Sequence, residues 1–261
     1  MERYIKFETA EGIGWGVFED GKIVGLSGNP ACGFENTGLF YQPSAVKLLA
    51  PVEPTKIICV GLNYREHILE NQAFDETESQ ATDGVPEEPI LFLKPPSALI
   101  GPGERITLPE MAKRVDYEAE LGVVIGRECH NVASIEAEDY IFGFTCINDV
   151  TARDLQQKDI QWTRAKGFDT FCPVGPWVVD NLKYENLSVE AYLNGERRQS
   201  SRISAMIFPI AILISFISKI MTLYPGDLIA TGTPAGVGPM QTGDRIEIRI
   251  EGIGSLVNDV I

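Results

Sequence analysis

The chain is predicted to fold as a mainly β protein with a few helices. Two observations predict it. Short runs of alternating or continuous apolar residues recur along the whole length, separated by Gly, Pro and Asp/Asn-Gly breaks, as strands and tight turns require. Segments with helical periodicity are few, and no internal repeat of fixed period is present, so the 261 residues must build one large core, or one large and one small.

Residues 1–30 read as RYIKFET, GWGVFE and KIVGLSG, broken at Glu11-Gly12 and Asp20-Gly21. Such turn chemistry predicts a small antiparallel meander, the heart of a small N-terminal β domain over residues 1–50. The proline-rich stretch Gln42–Lys56 reads as a linker into a larger domain over residues 51–261. There Ile57–Val60 is a continuous apolar strand, followed by a Gly61-Leu62-Asn63-Tyr64 turn and a helix over Arg65–Gln72. The acidic, apolar-poor stretch Gln72–Glu88 cannot bury enough surface to fix itself, which predicts a loop or a lid spanning about 65–88 with that helix. From Ile90 onward strand-like runs dominate: ILFLK, SALIG, DYEAELGVVIG, YIFGFTCIND, PVGPWVV, VEAYLNGER, DLIATGTP and DRIEIRI. Asn194-Gly195 is a two-residue hairpin signal. Three further helices are expected over Ile135–Tyr140, Thr151–Gln157 and Ile210–Met221.

The formal charge of −15 leaves no basic face to neutralise phosphates, so neither nucleic acid nor an acidic membrane surface is an expected partner. Capture of an anionic substrate must then be local. The uncharged run Ile203–Ser218 falls short of the roughly 20 residues a bilayer span needs and contains Pro209, so it reads as a turn followed by a core helix. The five cysteines are odd in number, far apart and without a C-x-x-C pair; reduced thiols follow. The start MERYIKFETA lacks the apolar centre of a signal peptide, and a cytoplasmic location is expected.

The chemistry concentrates in a few places. Glu118 and Glu120, two apart on a predicted strand, point the same way at a spacing of about 6.6 Å. A third carboxylate, with Asp149 of the Asn148-Asp149 pair as candidate, would complete a hard-oxygen donor set suited to Mg²⁺ or Mn²⁺, with Ca²⁺ also fitting. Without a cation the three would repel one another. Thr151 is a candidate cap for the following helix, on which Arg153 and Gln156 share a face and form a candidate clamp for a substrate carboxylate or carbonyl. The alternative is a solvated surface helix. Lys166, flanked by Trp162 and Phe168, is a candidate fixed positive charge against a carboxylate or enolate. His67 and Glu70 meet if their segment is helical, and a carboxylate beside an imidazole suits it to deprotonate water. The other histidine, His130, reads as a surface turn residue. The loop Thr231–Pro239 lacks the Gly-Lys-Ser/Thr ending of a phosphate loop; Thr233 offers a hydroxyl and an N–H to a carboxylate.

Together these runs resemble the fumarylacetoacetate hydrolase family. KIICVGLNYREHILE, ILFLKPPSALIGPG, DYEAELGVVIG, INDVTARDLQ, QWTRAKGFDTFCPVGP and LIATGTPAGVGPMQTGD carry the resemblance, in order, over about residues 56–245. It implies a mixed β-sandwich roll, a homodimer, and Mg²⁺ or Mn²⁺ held by Glu118, Glu120 and Asp149. It also implies substrate contacts from Arg153, Gln156, Lys166 and Thr233, and a water-activating His67–Glu70 dyad. Residues 1–50 resemble the small N-terminal domain of bacterial members. The stretch Asn71–Gly84 looks longer and more acidic than is usual there, which bears on substrate identity. The expected activity is metal-dependent C–C hydrolysis of an acylpyruvate such as fumarylpyruvate, through an enolate of the α-keto acid. Oxaloacetate decarboxylation or tautomerisation, and 2-hydroxyhepta-2,4-diene-1,7-dioate isomerisation, are the alternatives that pass through a similar enolate. A non-catalytic metal-stabilised scaffold is the alternative of another class, and it has no use for the dyad.

Overall fold

In the computed structural model, residues 1–74 and 84–261 are described; most of the acidic stretch read as a lid lies outside them. The predominance of strands is as expected. The largest sheet runs, edge to edge, through Asn36–Tyr41, Lys22–Leu26, Gly12–Glu19, Arg3–Thr9, Cys172–Val179, Ile141–Asn148, Ala119–Ile125, Leu228–Ala230, Ile57–Gly61 and Ile90–Lys94. It is mixed: Leu228–Ala230 runs parallel to Ile57–Gly61, while its other neighbour, Ala119–Ile125, is antiparallel. A five-stranded sheet (Glu196–Arg202, Ser188–Leu193, Arg245–Ile250, Gly254–Val260, Arg105–Ile106) and a three-stranded one (Thr151–Ala152, Val115–Tyr117, Gly238–Pro239) complete the fold.

The main core lies between the large and the five-stranded sheet. Leu121, Val123 and Ile125 from one meet Val189, Ala191, Ile246, Ile248 and Leu256 from the other in one buried cluster. Period-two alternation produces this face, because successive side chains of a strand point to opposite sides. The helix Ile210–Ile220 adds Leu213, Ile214 and Ile217, all fully buried. No helix among the described residues is long and apolar enough to cross a membrane.

Turn chemistry is realised where it was strongest. Asn194 and Gly195 have φ of 53° and 82°, and Asp20 and Gly21 have 48° and 76°, so both hairpins turn on two left-handed residues. Cys59, Cys129, Cys146 and Cys172 are buried and Cys32 is exposed; all five are free thiols.

Four local expectations are corrected. The linker Gln42–Lys56 is partly regular, with a 3-10 turn at Pro43–Ala45 and a strand Lys47–Leu49 paired to Arg3–Thr9. The segment expected as a helix over Ile135–Tyr140 is 3-10, over Ser134–Tyr140. Thr151 caps no helix. Thr151–Ala152 is a short strand on Val115–Tyr117, and the helix starts at Arg153. The Thr151 hydroxyl instead faces the Glu118 carboxylate at 3.0 Å.

The fourth correction is functional. The run from Asp116 to Gly126 is not one strand. Val115–Tyr117 belongs to the three-stranded sheet and Ala119–Ile125 to the large one, and the chain changes sheets at Glu118. At the change, side-chain amides replace the ladder: Glu118 N–H donates to Asn148 Oδ1 at 3.0 Å, and Ala119 N–H to Gln199 Oε1 at 2.9 Å. Sequence alternation cannot show this, because the amides come from 30 and 80 residues away.

Candidate active site

Glu118, at that break, is held from both sides of its backbone. Its N–H is taken by Asn148 Oδ1, and its carbonyl accepts the Asp149 N–H at 2.9 Å. The Asn148-Asp149 pair therefore docks on Glu118 by main-chain geometry, although thirty residues separate them. Glu120, two residues on, accepts Gly232 N–H at 2.8 Å. That glycine is required: its φ is +101°, and a Cβ there would lie 2.7 Å from Asn63 Cβ. The result brings together carboxylate oxygens of Glu118, Glu120 and Asp149 within 4.8 Å of one another, all buried.

The electrostatics of this triad are uneven. Burial opposes the charge on Glu118, but Lys166 and Arg153 outweigh it and hold the carboxyl well below the usual carboxylate range. Burial, Asp149 and Glu118 together push Glu120 well above that range. Lys166 Nζ donates to Asp149 Oδ2 at 2.6 Å and to Glu118 Oε2 at 3.0 Å. Burial works against its ammonium, yet these two carboxylates raise its pKa. Asp149 Oδ1 lies 2.8 Å from Lys94 Nζ, an ion pair without the alignment of a hydrogen bond.

The donor set fits a hard divalent cation. Three buried carboxylates converge, one carboxylate oxygen lacks a hydrogen bond, and Glu120 has no cation at hydrogen-bond distance among the described residues. Residues Glu118, Glu120 and Asp149 would hold it.

The triad sits in a cavity of about 260 Å³. His67, Phe92, Arg114, Arg153, Gln156, Trp162, Lys166 and Thr233 also line it. His67 lies on the helix Arg65–Phe74, with Nδ1 at 3.4 Å from Glu70 Oε2. Burial opposes the charge on Glu70, but His67 and the Gly236 N–H outweigh it and lower its pKa. Both Glu70 oxygens accept that N–H, at 3.1 and 3.0 Å. Gly236 has φ +99°, and a Cβ there would stand 2.2 Å from Arg198 O. Two glycines of the Thr231–Pro239 loop, Gly232 and Gly236, thus aim N–H groups at carboxylates.

Arg153 and Gln156 share a face as expected, with Nη1 donating to Oε1 at 2.6 Å. Arg153 is also engaged by Asp116 at 3.0 Å and Glu118 at 2.5 Å, so its first role is to neutralise buried acids. Lys166 ends the short helix Thr163–Lys166. The Thr233 hydroxyl donates to Ala119 O and accepts from Gln199 Nε2, both at 2.9 Å, so its proton is not offered to the cavity.

Three residues escaped the sequence reading. Lys94 is 1% exposed and donates to Lys166 O and Val150 O at 2.6 and 3.0 Å. Its signal was a lysine ending the otherwise apolar run ILFLK. The other two are Asp116, wholly buried, and Arg114, whose Nε and Nη2 donate to it at 2.8 and 3.1 Å.

Comparison with known proteins matches residues 56–261 to the model of the fumarylacetoacetate hydrolase C-terminal domain, and residues 2–51 to an Rv2993c-like N-terminal domain. The chain belongs to the fumarylacetoacetate hydrolase family. An uncharacterized relative from Methanocaldococcus jannaschii, MJ1656, is 54% identical over 80% of this chain and 84% of its own. Oxaloacetate tautomerase YisK from Bacillus subtilis is 44% identical over 84% and 75%. Among solved structures, 2-hydroxyhepta-2,4-diene-1,7-dioate isomerase from Mycobacterium marinum superimposes with TM-score 0.88 at 41% identity, covering 100% of this chain and 98% of the other. Maleylpyruvate hydrolase from Sphingobium, solved with manganese and pyruvate, gives 0.78 at 29%, covering 99% and 98%. Members of the fumarylacetoacetate hydrolase family with this fold thus include tautomerases, isomerases and hydrolases.

Proposed function

We propose that this protein interconverts the keto and enol forms of a 2-keto acid bearing a second carboxylate, with oxaloacetate as the model substrate. One observation carries the reading. A buried histidine, oriented by its own carboxylate partner, lines the same small cavity as a buried three-carboxylate cation site and a buried ammonium.

A divalent cation held by Glu118, Glu120 and Asp149 would polarise the 2-keto oxygen as a Lewis acid. The protein's own groups do the rest. Glu70, anchored by Gly236 N–H, lies beside His67 Nδ1 and favours the tautomer whose basic nitrogen is Nε2. His67 then takes a proton from C3. The C3–H pair becomes the C2=C3 bond, charge moves onto the 2-keto oxygen, and the imidazolium returns the proton to that oxygen. Lys166 keeps its ammonium and stabilises the developing enolate. Nothing is consumed, and the reverse path uses the same groups.

The 44% identity to YisK supports tautomerisation, as does the 40% identity to oxaloacetate tautomerase Fahd2a of Rattus norvegicus. A second reading, C–C hydrolysis of an acylpyruvate, is supported by the maleylpyruvate hydrolase likeness and by the same dyad, which would deprotonate a water. The two separate in one assay. With Mg²⁺ or Mn²⁺ present, enol absorbance of oxaloacetate and release of pyruvate from acetylpyruvate are followed in parallel. The proposal expects faster keto–enol relaxation of oxaloacetate and slow or absent pyruvate release. Rapid acetylpyruvate cleavage without oxaloacetate relaxation would replace the first reading with the second.

A further inference from the structure

The strand Glu196–Arg202 is polar throughout, and only one of its side chains is buried: Gln199, 1% exposed. A bulge puts it there. Gln199 pairs with Ala191 and Arg197 with Tyr192, so Arg198 is the extra residue, and a bulge of this kind re-aims the side chains beside it. The Thr231–Pro239 loop packs on the bulge, where Gly236 leaves no room for a Cβ against Arg198 O.

Both ends of the Gln199 amide are engaged. Oε1 accepts the Ala119 N–H at 2.9 Å, and Nε2 donates to Thr233 Oγ1 at 2.9 Å and to Pro234 O at 2.7 Å. The Thr233 hydroxyl closes the circuit by donating to Ala119 O at 2.9 Å. Ala119 is the residue between Glu118 and Glu120, and strand pairing with Leu228–Ala230 covers only Gly122–Val124. Side chains from elsewhere therefore hold its N–H and C=O in place of a ladder. The loop that Gln199 grips at Thr233 and Pro234 also delivers the Gly232 N–H to Glu120 at 2.8 Å. One amide thus fixes the residue that spaces the two carboxylates and the loop that orients one of them.

Spacing decides which cation fits. Mg²⁺ demands near-ideal octahedral geometry at about 2.0–2.1 Å, whereas Ca²⁺ accepts irregular oxygen shells at about 2.3–2.6 Å. We propose that Gln199 is a positioning residue that sets the cation preference of the three-carboxylate cluster, holding Glu118 and Glu120 at the spacing a small, geometrically strict ion needs. The inference rests on the cation site of the proposed function and is independent of the reaction run there.

The test measures Mg²⁺ and Ca²⁺ affinities by calorimetry on substrate-free protein, with denaturant unfolding alongside. Gln199→Met keeps the length of the side chain and removes its three hydrogen bonds. It should weaken Mg²⁺ by about ten-fold or more, the usual scale for losing a group that orients a metal-binding residue, and Ca²⁺ by much less, so that the Mg²⁺-to-Ca²⁺ affinity ratio falls. Thr233→Val opens the same circuit from its other side and should move the ratio in the same direction; it carries the test if Gln199→Met does not fold. Thr233→Ser keeps the hydroxyl and should retain the wild-type ratio. In whichever of the first two variants folds, an unchanged ratio, with both ions bound as before or weakened equally, overturns the proposal and leaves Gln199 a tie between sheets. Wild-type protein that binds neither ion overturns the cation site and the proposal together. A lowered ratio in the variants, with no oxaloacetate relaxation in the wild type, upholds Gln199 and overturns the tautomerase reading alone.

Discussion

Lys94 and Asp149 face each other 2.8 Å apart, each with a side chain at most 1% exposed, at the inner wall of the carboxylate site. A buried lysine needs a fixed counter-charge, and a buried aspartate set beside two other carboxylates needs one whether or not a cation joins them. The pair therefore lets the fold tolerate both states.

Replacing Lys94 tests this. Lys94→Met leaves Asp149 with Lys166 as its remaining ammonium partner among the described residues. Breaking one side of a buried pair typically costs about 3–5 kcal/mol. The expected result in denaturant unfolding is a loss of that order without cation, with a larger recovery on adding Mn²⁺ than the wild type shows. Equal cation responses in both proteins would separate Lys94 from the site.

Glu118 stands in both the three-carboxylate cluster and the Lys166–Arg153 network. Glu118→Gln should weaken Mn²⁺ binding, read by calorimetry, and abolish keto-acid turnover together. Retained Mn²⁺ affinity in a folded variant would remove Glu118 from the ligand set.

The dyad predicts a kinetic split. His67→Ala should lower C3 proton exchange by about 10²–10⁴-fold, the range for a general base, with Mn²⁺ affinity nearly unchanged. Parallel loss of metal binding would show that the residue is structural.

Glu70 gives a pH dependence of stability. Its folded pKa is depressed, because His67 and Gly236 outweigh burial. The carboxylate therefore stabilises the fold above its unfolded pKa, and this contribution is lost as pH falls through the lower folded value. The stability advantage of wild type over Glu70→Gln should be full at neutral pH and vanish in acid. A constant difference across that window would mean the carboxylate gains nothing from its partners.

Gly236→Ala should act at a distance. The substitution must adopt a left-handed φ, and its Cβ would collide with Arg198 O. A backbone cost of about 1–2 kcal/mol is expected from the conformation alone, with more from the collision. Displacing the N–H from Glu70 should lower kcat more than it raises KM. A change in KM alone would place the effect on substrate access.

Much of this site was legible in the chain because its chemistry is local. His67–Glu70 follows from helical spacing, and Arg153–Gln156 likewise. The hairpin at Asn194-Gly195 follows from the φ those residues accept. What could not be read depends on groups that meet only after folding. The break at Glu118 needs Asn148 and Gln199; Lys94 reads as a strand-end lysine until Asp149 arrives; and the Thr231–Pro239 loop shows its purpose only when Glu120 and Glu70 come under its N–H groups. The Thr151 cap failed because a strand partner, Asp116, and the Glu118 carboxylate claim that residue first.

The most direct measurement is the rate of oxaloacetate keto–enol relaxation, followed by enol absorbance with Mg²⁺ or Mn²⁺ and again with excess chelator. Cation-dependent acceleration that chelator and Glu118→Gln both abolish is the predicted result. Acceleration that survives chelation, or none with saturating cation, would contradict the role given to the three carboxylates.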